Sequence, residues 1–147
     1  MIALDTNVLV YAEGFGDVWK VRRAEALGIG LPPDRVVLPV QVLAELYRVL
    51  VRKVRLTPDE ARTRVYRWHA VFPTAPYDAN LLERAIDMAV AHGHQIFDAL
   101  ILSVASASGC DVLLSEDMQN GATFAGVTVA NPFADRLDPR IAPYLPQ

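Results

Sequence analysis

The chain has 147 residues, of which 52% are hydrophobic and 21% charged, and its formal net charge is −3. This size suits one domain that buries most of its apolar surface, and the composition excludes a disordered chain. The acidic balance excludes a protein that grips nucleic acid by bulk positive charge, but not one that holds a metal with acids.

No apolar run approaches the roughly 20 residues of a membrane span. The N-terminus lacks the basic flank and cleavage pattern of a signal peptide. A single cysteine, Cys110, cannot form an internal disulfide, which suits a reducing, cytoplasmic location.

In chain order, strand and helix signals alternate. Ile2-Ala3-Leu4 is a short apolar run that fits a strand buried on both faces, and Asp5-Thr6-Asn7 follows it. Thr6 to Ala12 reads as a short helix or turn broken by Gly14 and Gly16. Asp17 to Leu27 is predicted helical, with Asp17 as its cap and Gly28 and Gly30 as its stop. Val36 to Leu38 is a second buried strand, and Pro39 opens a helix running to about Lys53. Leu43, Leu46, Tyr47, Leu50 and Val54 give that helix its apolar stripe.

Thr57-Pro58-Asp59-Glu60 is a helix start, and that helix is expected to end near His69. Val71-Phe72 reads as a short third strand, and Asp78 begins a helix stopped near Gly93. Phe97 to Ser108 is a helix apolar nearly all round, Asp111 to Ser115 a fourth strand and Val127 to Ala130 a fifth. The tail from Asn131 carries Pro132, Pro139, Pro143 and Pro146, which argues against regular structure; it docks on the body or stays loose. Strands separated by helices imply an α/β fold with parallel pairing and helices on both faces. The expected division is a domain over 1–130 and a Pro-rich tail over 131–147.

The acids follow the strands. Asp5 follows the first and Asp117 the fourth, Glu45 lies early in the helix after the second, and Asp98 opens the helix leading to the fourth. Residues just past parallel strands share one edge of the sheet, where α/β proteins collect ligands. Asp98 joins that edge only if its helix begins there, as a helix running antiparallel to the next strand does. Each acid also has an ordinary structural role. Asp5 and Asp98 suit helix caps, Glu45 can pair with Arg48, and Asp117 can serve a turn begun by Ser115. Asp98 resists that reading, because Ile101, Leu102 and Ala105 share its helix face and a lone buried carboxylate is costly.

Together the four change the balance. Carboxylates a few Å apart repel by roughly 4 kcal/mol per pair at an effective dielectric of about 20. No Lys or His in the adjoining segments offers a neutralising partner, whereas Mg²⁺ or Mn²⁺ takes hard oxygen ligands. Such a site can activate water and hold a phosphodiester. No serine or cysteine nucleophile with a matching His is visible.

Leu4-Asp5-Thr6-Asn7, Glu45, Phe97-Asp98-Ala99 and Leu114-Ser115-Glu116-Asp117-Met118 resemble, in order and approximate spacing, the motifs of the PIN domain, in particular its VapC-type toxins. The resemblance covers nearly the whole chain and implies a five-stranded parallel sheet between helices, usually in a homodimer. It also implies a Mg²⁺- or Mn²⁺-dependent endoribonuclease restrained by an antitoxin. Asp5 and Asp98 then match the principal metal ligands, Glu45 and Asp117 complete the acidic site, and Thr6, Asn7 and Ser115 support it by hydrogen bonds. Asn120 stands where some members carry a further acid, which leaves the metal count open.

Positive charge is concentrated between Arg48 and Arg67, which span seven of the 14 Lys and Arg residues. This is either a solvated helical pair or a flank for RNA phosphates or an acidic antitoxin segment, with Arg48 and Arg52 nearest the acids. Two other functions compete with the nuclease. A phosphotransfer enzyme with Asp5 as nucleophile needs a lysine beside the later strands, and Lys20 and Lys53 both come early. A non-catalytic PIN-like module that binds RNA or a partner would have no need of all four acids.

Overall fold

The computed structural model describes residues 1–145; Pro146 lies outside them. Six strands and six α-helices are described. They are β1 (Ile2–Leu4), α1 (Thr6–Ala12), α2 (Val18–Gly30), β2 (Val36–Pro39), α3 (Val40–Arg52), α4 (Pro58–Val71), β3 (Thr74–Ala75), α5 (Ala79–His92), α6 (Ile96–Ala107), β4 (Val112–Leu114), β5 (Thr123–Phe124) and β6 (Val127–Ala130). Short 3₁₀ turns cover Pro33–Arg35 and Ala142–Tyr144.

The strand order is β3-β2-β1-β4-β6-β5. β1 lies at the centre, parallel to β2 on one side and to β4 on the other, with Ala3 opposite Val37 and Leu113. The chain winds from β1 toward β2 and β3, then returns past β1 to β4 and β6, so strand order reverses at the β1–β4 pair. That reversal opens a crevice at the carboxyl ends of these two strands. The short strands hold because they are dry: every residue of β1, β2 and β4 is buried. Helices flank the sheet, and α6 is buried continuously from Ala99 to Ala105.

The α/β class with parallel central strands agrees with the sequence, but the sheet has six strands rather than five. The additional strand, β5, pairs antiparallel with β6. Its turn, Ala125-Gly126, has positive φ at both residues (50° and 83°). Ala is a rare choice at such a position, so the turn escapes a search for Asn-Gly or Gly-Gly. The third strand is Thr74–Ala75 instead of Val71-Phe72. α4 continues through Val71, and pairing with β2 begins where Leu38 donates to the carbonyl of Pro73 (2.9 Å).

α2 runs past Gly28 and ends at Gly30 rather than Leu27. A Cβ at Gly30 would come within 2.3 Å of the Tyr144 carbonyl oxygen, so this glycine admits the returning tail. From Asn131 to Leu145 the chain docks on the body. Phe133 and Ile141 are buried, and Arg23 Nη1 donates to the carbonyls of Pro132 and Ala134 at 3.2 Å each. One regular turn, Ala142–Tyr144, forms there with Pro143 at its start, where a missing N–H costs no hydrogen bond. No helix among the described residues is long and apolar enough to cross a membrane.

Candidate active site

Asp5 occupies the point where β1 becomes α1. Its backbone N–H extends the sheet by donating to Leu114 O of β4 (2.9 Å), and its side chain caps the helix by accepting from Thr6 N (2.6 Å). Ser115 Oγ, at the end of β4, donates to Asp5 Oδ2 (2.7 Å), and Asn7 Nδ2 reaches the same oxygen at 3.2 Å. The carboxylate is therefore fixed by three donors, all of them neutral.

The other acids arrive from separate elements. Glu45, on the second turn of α3, accepts from Thr6 Oγ1 (2.9 Å) and from Gln41 Nε2 (2.9 Å). Asp117, exposed in the loop after β4, accepts from Asn7 Nδ2 (3.1 Å). Asp98 lies in the first turn of α6, three residues after the N-cap Gln95, so it is not the cap that its sequence position suggests. Among the described residues no hydrogen-bond donor reaches it. A cleft of about 490 Å³ gathers Asp5, Glu45, Asp98 and Asp117 with Thr6 and Asn7. α6 thus begins at the acidic edge, and all four predicted acids share one cavity. Ser115 lies behind its wall.

Electrostatics reflect the crowding. Burial pushes the Asp5 carboxyl up to about 6 against the opposing pull of its Ser115 and Thr6 hydrogen bonds, and the charges of Asp98 and Glu45 push it further. Asp98 is also raised, first by burial and then by Glu45 and Asp117, while the charge of His94 opposes them. No lysine or arginine forms an ion pair with any of the four among the described residues. The pair expected between Glu45 and Arg48 is absent there, because both Glu45 oxygens serve Thr6 and Gln41.

Around this centre the cleft is walled by Val10, Tyr11, Arg48, Val49, Lys53, Gln95 and Phe97. Arg48, exposed, is part of the wall. Arg52, exposed, is not part of the wall, and Lys53 takes that place. Tyr11 and Gln95 escaped the sequence reading, whereas Phe97 belongs to the motif around Asp98 and Lys53 to the basic segment. Tyr11 had a usable signal, since it follows Asn7 by one helical turn. The wider basic segment disperses: Arg64 and Arg67 bind Glu13, and Arg62 pairs with Asp59.

A divalent cation suits the chemistry of this donor set, which is all oxygen and carries uncompensated negative charge. As the side chains stand, no three His, Cys, Asp or Glu residues among those described are drawn together closely enough to enclose an ion. Among the described residues Asp98 accepts no side-chain hydrogen bond and Asp117 accepts one, whereas both Glu45 oxygens are engaged.

The PIN domain family model matches residues 2–120. The chain belongs to the PIN domain family. Solved structures with the same fold include Mycobacterium tuberculosis VapC20, described as a sarcin-ricin loop cleaving toxin. It has 22% identity and a TM-score of 0.67 over 80% of this chain and 90% of that one. A toxin–antitoxin complex from Klebsiella pneumoniae has 19% identity and a TM-score of 0.68 over 90% and 98%. The FitAcB structure from Neisseria gonorrhoeae has 24% identity and a TM-score of 0.66 over 90% and 99%. No curated protein matches the chain. The family match ends at residue 120, so β5, β6 and the docked tail of this PIN protein lie beyond it.

Proposed function

We propose that this PIN protein is a Mg²⁺- or Mn²⁺-dependent endoribonuclease and the toxin of a toxin–antitoxin pair. The observation that carries the reading is the cleft in which Asp5, Glu45, Asp98 and Asp117 converge with no ion pair to any of them among the described residues. The neighbouring fold of VapC20, described as a cleaving toxin, and of toxin–antitoxin complexes supports the substrate class and the partner.

A divalent cation bound here would supply the positive charge that lowers the pKa of a water and screens a phosphodiester. Asp5 and Asp98 are the residues to hold it. Asp5 is pre-set by Thr6, Asn7 and Ser115, which keep its carboxylate from rotating. Asp98 is free to close on the ion. Glu45 and Asp117 flank them. Asp117 Oδ1, the oxygen that Asn7 leaves unbound, is available to accept the proton of an attacking water. Arg48 and Lys53 at the mouth suit the phosphates of the bound strand, with Arg52 farther out. A homodimer, an antitoxin partner and a cytoplasmic location complete the reading.

The test is incubation with structured RNA in Mg²⁺ or Mn²⁺, with EDTA and Asp98→Asn as controls. Cleavage that needs both metal and Asp98 supports the nuclease. No cleavage together with no rise in melting temperature on adding metal would replace it with a non-catalytic binding module.

A further inference from the structure

Between Ser115 and Asp117, Glu116 turns away from the acidic cleft. Its carboxylate accepts from the Tyr11 hydroxyl (2.8 Å) and forms an ion pair with Lys20, whose ammonium also donates to the Tyr11 oxygen (3.3 Å). Lys20 is held in an aromatic cage. Its Nζ lies 5.2 Å from the Tyr11 ring centroid and 5.8 Å from those of Trp19 and Phe133. Phe133, from the tail, meets Tyr11 edge-on at 4.9 Å and Trp19 at 6.0 Å. The Lys20 and Glu116 side chains are only 16% and 21% exposed, so the pair is partly withdrawn from solvent screening.

The backbone of Glu116 faces the other way. Its N–H donates to Asn7 Oδ1 (3.3 Å), which orients the amide so that Asn7 Nδ2 serves both Asp5 Oδ2 and Asp117 Oδ2. A reversed amide would set oxygen against two carboxylates. Glu116 is therefore anchored by its side chain outside the cleft and presents its N–H inside it.

We infer that Lys20, Tyr11 and Glu116, closed by Phe133, form a positioning relay that fixes the loop after β4, and through the Asn7 amide sets the geometry of Asp5 and Asp117. The inference rests on the nuclease reading for its catalytic consequence, but not for its structural one. Lys20 and Glu116 are positioning residues. Neither lines the cleft.

Two readouts test the relay: steady-state RNA cleavage, and the Asn7 side-chain NH₂ resonances of the metal-free protein. Lys20→Met and Glu116→Gln should each lower kcat about tenfold with KM within about twofold, because misplaced groups cost turnover more than binding. The double variant should lose no more than either single one, since both break the same link. Lys20→Arg should retain most of the turnover, and the Asn7 NH₂ signals should shift in Lys20→Met but not in Lys20→Arg. Wild-type kcat in Lys20→Met with unmoved Asn7 signals would overturn the relay, as would multiplicative losses in the double variant. If the wild-type protein cuts no RNA, the nuclease reading fails, and the Asn7 signals still decide whether the relay exists. Should Lys20→Met fail to fold, isosteric Glu116→Gln carries both readouts.

Discussion

Two buried carboxylates stand at the two ends of α1, and they are treated oppositely. Glu13, at the C-cap, has a side chain only 7% exposed, and it receives Arg64 Nη1 (2.8 Å), Arg67 Nη2 (3.3 Å) and Trp68 Nε1 (2.8 Å). Two guanidinium groups and an indole leave it satisfied in charge and in hydrogen bonds. Asp5, at the N-cap, is 6% exposed, but its donors are a backbone amide, a hydroxyl and a carboxamide. Its charged neighbours are acids. Burial alone thus does not distinguish a functional acid from a structural one; the missing counter-charge does. Glu13 braces α4 against α1, whereas Asp5 holds charge that the fold itself does not neutralise.

The largest expected effect separates the two acids by activity. Asp5→Asn or Asp98→Asn should reduce Mg²⁺-dependent RNA cleavage by about a thousandfold, a loss typical of removing an electrostatic centre. Glu13→Ala should instead cost stability, about 2 kcal/mol, because its indole and guanidinium partners lose their acceptor. A lower urea midpoint at unchanged Mg²⁺-induced stabilisation would show that division. Equal loss of metal response in Glu13→Ala would erase it.

The pH dependence follows the same contrast. The folded-state pKa of Asp5 lies near 6, above its ordinary 3.8, so between these values the native state binds a proton that the unfolded chain releases. Without metal, this group's contribution to stability is greatest below about pH 4 and is lost as pH rises through 6. Asp5→Asn should flatten the melting-temperature profile across that window, by about 8 °C at its upper end. A profile as steep as wild type would assign the dependence elsewhere. The smallest effect is on Asp98, where Asn should raise the melting temperature in EDTA by about 2 °C by removing one like charge from Glu45 and Asp117. A fall would mean that Asp98 has a partner in solution.

Much of this molecule was legible along the chain because its signals are local. The buried runs at Ile2–Leu4, Val36–Leu38 and Val112–Leu114 fixed parallel strands. The capping box of Thr57 with Glu60 and the Asp78 cap on Leu81 N formed as their residue types demand. The placement of Asp5, Glu45 and Asp117 at one edge followed from strand polarity, since residues just past parallel strands end on the same side. Tertiary structure decided what spacing could not. It gave Glu45 to Gln41 and Thr6 rather than to Arg48. It brought the tail against Gly30, where a Cβ would collide with the Tyr144 carbonyl. It also carried Lys20, distant from β4 in sequence, to the loop after that strand, where it meets Glu116 rather than Asp5. Burial and charge pairing are properties of neighbours in space, and a sequence lists neighbours only along the chain.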